Sequence, residues 1–289
     1  DSLMISPKIL MGVIKNKSTR GLYKTTDGGK SWNKILGGSE WTGVTDIMMD
    51  SRHSNIIYAA TWDRHRTVAA YMGGGPGSGI HRSDDNGKTW KKLNNGIPRS
   101  NLGKIGIAMS YQDPDVVYAA VETDRTKGGI YRSEDRGESW KKMSNTVSGG
   151  TGPHYYQELY TSPHKFDRLY LMNVQILTSE DGGKNFRTLE GRRQKHSDHH
   201  AIAFKESDPD YIMVGTDAGI SVGVATTIVG SAPTVVTVAP TATGAVPTQG
   251  TAGATGTPAT VAPGVPVVTV PGLVAPVTAA PVVETTVPA

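Results

Sequence analysis

The chain contains no cysteine among its 289 residues. A disulfide framework, a thiolate metal site and a cysteine nucleophile are therefore excluded, and the redox compartment is left open. Aromatic residues make up only 7%, with three phenylalanines. Lysines and arginines are interspersed with acidic residues, and the formal charge is only +4. No dense basic run with interleaved aromatics is present, which argues against nucleic acid as a partner. No apolar run reaches the roughly 20 residues that would cross a bilayer, and the first residues, "DSLMISPKIL", lack the regions of a signal peptide. There is no G-x-S-x-G elbow and no P-loop; "GGGPGSG" lacks the lysine and helix that phosphate binding needs.

What the chain does have is 35 glycines, 17 prolines and a repeat. "TTDGGKSW" at 25 returns as "SDDNGKTW" at 83, "SEDRGESW" at 133 and "SEDGGKNF" at 179. The third-position aspartates, Asp27, Asp85, Asp135 and Asp181, are spaced by 58, 50 and 46 residues. Ahead of each box stand two β-rich runs. "TGVTDIMMD" and "SNIIYAAT" precede the second, "GKIGIAMS" and "PDVVYAAV" the third, "YYQELYTS" and "FDRLYLMN" the fourth, and "DHHAIAFK" with "PDYIMVGT" forms a further pair. With a short strand after each box, this gives four strands per unit. The fold class is all-β, a β-propeller of four-stranded antiparallel blades.

The box itself reads as a tight turn between the third and fourth strands. The aspartate accepts hydrogen bonds from the turn, the glycine takes positive φ, and Trp32, Trp90, Trp140 and Phe186 anchor it between blades. Four chemically equivalent copies point to architecture, because a catalytic or calcium-binding box would differ from the others.

These motifs resemble the Asp-box, or BNR repeat, found in sialidases, sortilin-type receptors and xyloglucan-degrading glycoside hydrolases, where the box has a structural role. The stretch from "WTGVTDIMMD" to "QKHSDHHAIAF" is similar to bacterial sortilin-like or glycosyl-hydrolase-like repeat proteins, over about residues 1–220. That resemblance implies a secreted or cell-surface location and leaves activity open. It does not extend to sialidase chemistry. "GIPRS" at 96 has the wrong order for the Arg-Ile-Pro motif, and a xyloglucanase pair of aspartates across two propellers has no match in a chain with material for about one.

Function should enter where the repeat is broken. The insertion "WDRHRTVAAYMGGGPGSG", residues 62–79, carries Trp62, Arg64, His65, Arg66 and Tyr71, suited to stacking and guanidinium contacts with a ligand, or else to a mobile surface loop. In "GPHYYQELY" period-two alternation separates Tyr155, Gln157 and Leu159 from Tyr156, Glu158 and Tyr160. Tyr155 and Tyr156 join the ligand-binding candidates, with blade-to-blade ties as the alternative. In "KHSDHHA" an extended backbone projects His196, Asp198 and His200 from one face, a candidate site for a divalent metal. A hydrogen-bonded polar cluster is the other reading, and a metal is the one cofactor the sequence leaves room for. Catalytic candidates are the carboxylates Glu158, Asp198 and Asp46.

Residues 1–220 thus form the blades. After "GTDAGI" the composition turns to valine, threonine, alanine, proline and glycine, and residues 221–289 carry one charge, Glu284. They read as an extended segment completing the propeller, or as a Thr/Pro-rich linker. Three functional classes follow: an extracellular or cell-surface module binding a glycan or protein partner, a glycoside hydrolase, or an oligomeric subunit of an extracellular assembly whose open blade edges are covered by a neighbour.

Overall fold

Strands rich in β-branched residues, separated at short intervals by Gly, Asn and Asp, fold as antiparallel meanders. The computed structural model of the chain describes residues 2–6, 20–124, 127–148, 155–189, 197–224 and 273–274. Among these residues there is no helix. The first sheet is β1 (Ser2–Ser6), β2 (Gly21–Thr25) and β3 (Asn33–Leu36), in that order. The second has β4 (Thr42–Met49) and β5 (Ile57–Asp63), then a two-stranded ribbon of β6 (His65–Arg66) and β7 (Tyr71–Met72), then β8 (Gly79–Ser83) and β9 (Lys91–Leu93), ordered β4-β5-β8-β9.

The third sheet is β10 (Ile105–Met109), β11 (Val117–Asp124), β12 (Lys127–Ser133) and β13 (Lys141–Ser144). The fourth is β14 (Leu159–Thr161), β15 (Leu169–Leu171), β16 (Leu177–Ser179) and β17 (Arg187–Thr188). In the fifth, β18 (His199–Lys205), β19 (Asp208–Thr216) and β20 (Gly219–Val224) follow the same meander, and β21 (Leu273–Val274) pairs with β18. Of the segment 221–289, only these strand residues are described.

The core lies between sheets. β5 is buried at every position, as expected for a strand covered on both faces. Tyr58 and Ala60 pack with Ile105, Ile107 and Val117 of the third sheet, whereas Ala59 packs with Leu22 and Val44. In the same way Tyr118 and Ala120 face Leu159 and Leu169 of the fourth sheet, while Ala119 and Val121 face the second. Tyr170 and Met172 meet Ile202, Phe204 and Val214 of the fifth. Face-to-face stacking of small four-stranded units is the packing of propeller blades.

Each Asp-box joins the last two strands of its sheet. In the second, Asp85 Oδ1 accepts from Ser83 Oγ at 2.8 Å and from Thr89 N at 2.8 Å, Oδ2 accepts from Thr89 Oγ1 at 2.6 Å, and Gly87 N donates to Ser83 Oγ at 2.8 Å. The same network recurs at Asp27, Asp135 and Asp181, with Asn185 replacing the hydroxyl residue in the last. Gly87 has φ 83° and follows Asn86 at φ 62°, two left-handed positions that favour Gly and Asn, although the third box places Arg136 at φ 59° in the first of them. The glycine also presses on the preceding blade: a Cβ at 87 would lie 2.6 Å from Ile35, one at 137 would lie 2.5 Å from Leu93, and one at 183 would lie 2.7 Å from Ile130.

The anchoring aromatics follow this logic with one departure. Trp140 is buried, and Trp90 and Phe186 pack against neighbouring clusters. Trp32 is 37% exposed, because its box belongs to the first sheet and no earlier outer strand covers it among the described residues.

The hydroxyl and N–H of Thr89 hold the Asp85 carboxyl down to about 2. A depressed carboxyl stabilises the fold above its unfolded value near 4 and ceases to do so as the pH falls through about 2. Asp85→Ala is expected to lower the melting temperature at pH 7 by about 5 °C. Melting curves should show that deficit shrinking between pH 4 and 2, and a deficit independent of pH would refute the ionised-turn reading.

Candidate functional site

Antiparallel order fixes where functional side chains gather. The inner strands β4, β10, β14 and β18 begin beside the ends of β5, β11, β15 and β19, as the pairs Thr42 with Asp63, Ile105 with Val121, Leu159 with Leu171 and His199 with Thr216 show. The connection from the second to the third strand therefore shares one end of every blade with the inner-strand starts. The box turns lie at the other end. Apart from Asp46, which sits in mid-strand opposite Ala60, the catalytic, ligand and metal candidates in the described residues lie at or near the first end, the insertion end.

The insertion is held from beneath. Asp63 is buried; its Oδ1 accepts from Thr42 Oγ1 at 2.6 Å, its Oδ2 accepts from Gly77 N at 2.7 Å, and its own N–H donates to Ser78 Oγ at 2.9 Å. The glycine run lets the backbone reach this carboxylate, since a Cβ at 75 or 77 would come within 2.5 or 2.3 Å of its oxygens. Trp62 is buried and donates its indole N–H to Gly73 O at 2.8 Å, so it serves as an anchor under the loop.

Arg20 donates to the carbonyls of Trp41 and Arg64, His65 packs on Trp41 with ring centroids 3.9 Å apart, and the Arg64 guanidinium lies 5.3 Å from the Trp62 ring. Arg66 and Tyr71, paired across the ribbon, are the exposed members of the set. The glycines that suggested mobility are close-packing positions, and Asp63, the residue that organises them, was not singled out by the sequence.

A second group spans three inner strands. A β-bulge between Val44 and Asp46 turns the Asp46 carboxylate toward β10, where Oδ2 accepts from Ile107 N at 2.9 Å while Oδ1 accepts from Ile47 N at 2.9 Å. Lys104 Nζ donates to Glu158 Oε1 at 2.6 Å, and its backbone N–H donates to Glu122 Oε2 at 2.9 Å. Burial pushes the Asp46 carboxyl up to about 7; the two backbone N–H groups oppose this, the Glu158 charge adds to it and Lys104 subtracts. Burial, then Asp46 and Glu158, raises the Tyr160 hydroxyl as well. The Glu158 charge thus reaches Asp46. Asp198 lies in a different cluster.

That cluster lies where the fourth and fifth sheets begin. The expected alternation through 155–160 is interrupted because Gln157, fully buried, takes φ 90°. Tyr155 is 51% exposed and Tyr156 is buried. The Tyr156 hydroxyl donates to the Asp198 carboxylate, which also accepts from Ser197 Oγ at 3.1 Å. The His200 ring stacks on Tyr156 at 5.5 Å and 19°, and its Nε2 lies 3.0 Å from Asp217 Oδ1. Asp198 itself has φ 67°, so the extended geometry that would align His196, Asp198 and His200 is not adopted. His196 lies outside the described residues. Among the described residues no group of three or more His, Asp or Glu side chains is arranged to hold a metal ion.

Comparison with known proteins adds a family and a fold. The Sortilin-Vps10 family model (sortilin, neurotensin receptor 3) matches residues 20–151 and 128–229. An oligoxyloglucan-reducing end-specific xyloglucanase of Emericella nidulans is 38% identical over 101 residues, 33% of this chain and 11% of that protein. The GH74 enzyme of Niastella koreensis superposes with a TM-score of 0.52 at 16% identity, over 71% of this chain and 33% of that one. The GH74 xyloglucanase of Xanthomonas campestris gives 0.49 at 16% identity, over 72% and 34%. The chain therefore spans about a third or less of the length of these relatives, and the likeness to the Niastella enzyme shows a shared β-propeller fold.

Proposed function

Since the chain belongs to the Sortilin-Vps10 family, we propose that it is an extracellular or cell-surface binding module that offers the insertion end of its blades to a glycan. The observation that carries this reading is topological. The insertion, Glu158 and the aromatic cluster share one end of the blades, while the four boxes occupy the other. Surface aromatics and polar groups on a rigid frame suit sugar rings, which have an apolar face and a hydroxylated rim. The Asp63 clamp and the buried Trp62 supply that rigidity beneath Arg66 and Tyr71.

The test is a glycan array followed by titration of the best ligand. Replacing both Arg66 and Tyr71 with alanine is expected to weaken binding at least tenfold with unchanged melting, since both side chains are exposed. Unaltered affinity in that variant would move the ligand away from the insertion, and an array without hits would point to a protein partner.

One observation favours a second reading, glycoside hydrolysis: burial raises the Asp46 carboxyl to about 7, so it keeps a proton well above the usual carboxylate range, and the Glu158 charge adds to that rise. Release of reducing ends from xyloglucan, abolished by Glu158→Gln, would establish it. Against it, both Asp46 oxygens already accept backbone N–H groups, which suits a strap between blades.

A further inference from the structure

We propose that Tyr155 and His200, backed by the buried Tyr156, form a ledge that stacks against the apolar face of a neutral pyranose ring. This rests on the glycan-binding reading and assigns it a subsite. The ledge has two elements. Tyr156 and His200 lie nearly parallel, 19° apart with centroids at 5.5 Å, and Tyr155 stands at 49° to Tyr156 with centroids at 6.4 Å. Together they make a shallow corner whose outer surfaces are the 51% exposed Tyr155 and the exposed His200. Such a corner fits a ring with one flat apolar side.

Two of the three rings are tied before any ligand arrives. The Tyr156 hydroxyl is tied to Asp198, and His200 is tied to Asp217 at 3.0 Å. Two aromatic side chains already held in place lose little conformational freedom on binding, which is how a small contact yields measurable affinity. Asp198 adopts φ 67° to reach Tyr156, a left-handed conformation that aspartate tolerates better than most residues. The charges around the ledge choose the ligand class. Asp198 and Asp217 flank it, so acidic sugars are repelled. The Asp217 carboxylate, exposed beside His200, can also accept from sugar hydroxyls.

The test uses the full chain and three soluble probes, cellotetraose, a tetragalacturonate and choline. Cellotetraose is expected to bind and the other two are not. Tyr155→Ala should weaken cellotetraose binding at least tenfold, Tyr155→Phe should stay within threefold, and His200→Ala should weaken it at least threefold. Because Tyr155 is exposed, its variants should melt with the wild type, which separates lost stacking from lost folding. Cellotetraose binding that persists in Tyr155→Ala would overturn the ledge and leave the glycan module standing. Choline displacing cellotetraose would overturn the sugar assignment in favour of a cation site. Failure of the wild type to bind any neutral oligosaccharide on an array would remove the glycan reading and the ledge together.

Discussion

Replacing Gly106 with alanine is expected to destabilise the chain by roughly 3 kcal/mol, the upper part of the range for overpacked cores. A Cβ at 106 would lie 1.8 Å from Gln157 O and 3.1 Å from Leu159 N. Both are backbone atoms of the neighbouring blade and cannot rotate away, so β10 and the start of β14 must separate. Glu158, between those two residues, would be carried away from Lys104. Gly215 is the control, since a Cβ there meets only Ala201 at an ordinary 3.7 Å and alanine should be nearly neutral. Urea denaturation of the two variants makes the comparison. Equal stability would mean that the inner strands do not approach as closely as described.

The second large effect concerns Asp46. Its carboxyl is moved from 3.8 to about 7, so ionisation weakens the fold, by at most about 4 kcal/mol. For an acid raised in the folded state, the stabilising protonated form is fully present below pH 4, and its contribution declines as the pH rises toward 7. Asp46→Asn removes that titration. Its amide places an NH2 against one of the two backbone N–H donors, a cost that does not depend on pH, so the diagnostic quantity is a slope. The stability of wild type relative to the variant is expected to fall between pH 4 and 7 and to be flat above and below. A difference constant across that range would show Asp46 ionised throughout and would remove the acid–base pairing with Glu158.

The framework of this fold is written locally and was legible. A box needs Ser or Thr, Asp, Gly and then Ser, Thr or Asn within seven residues, because its hydrogen bonds join positions two and four apart. Runs such as "IYAATWD" were legible as strands from their β-rich composition, and the structure buries this one at every position. The insertion end was legible only as a set of names. Thr42 and Asp63 are 21 residues apart, Tyr156 and Asp198 are 42 apart, and Lys104 and Glu158 are 54 apart, so no local pattern couples them.

Two local rules also misled. Glycines at 73–79 suggest freedom when read alone, yet at 74, 75 and 77 the backbone packs against Leu102 and Asp63. Alternation through Tyr155 and Tyr156 assumed a strand that the left-handed Gln157 interrupts, and this places Tyr156 indoors and leaves Tyr155 in solvent.

The measurement that tests the central claim most directly is backbone hydrogen–deuterium exchange of the chain with and without saturating cellotetraose. Slowed exchange confined to the insertion end, in residues 64–78, 155–160 and 197–200, is the result expected of a glycan module that binds opposite its boxes. Protection confined to the box turns at 25–32, 83–90, 133–140 and 179–186 would contradict it and assign the binding face to the other end of the blades.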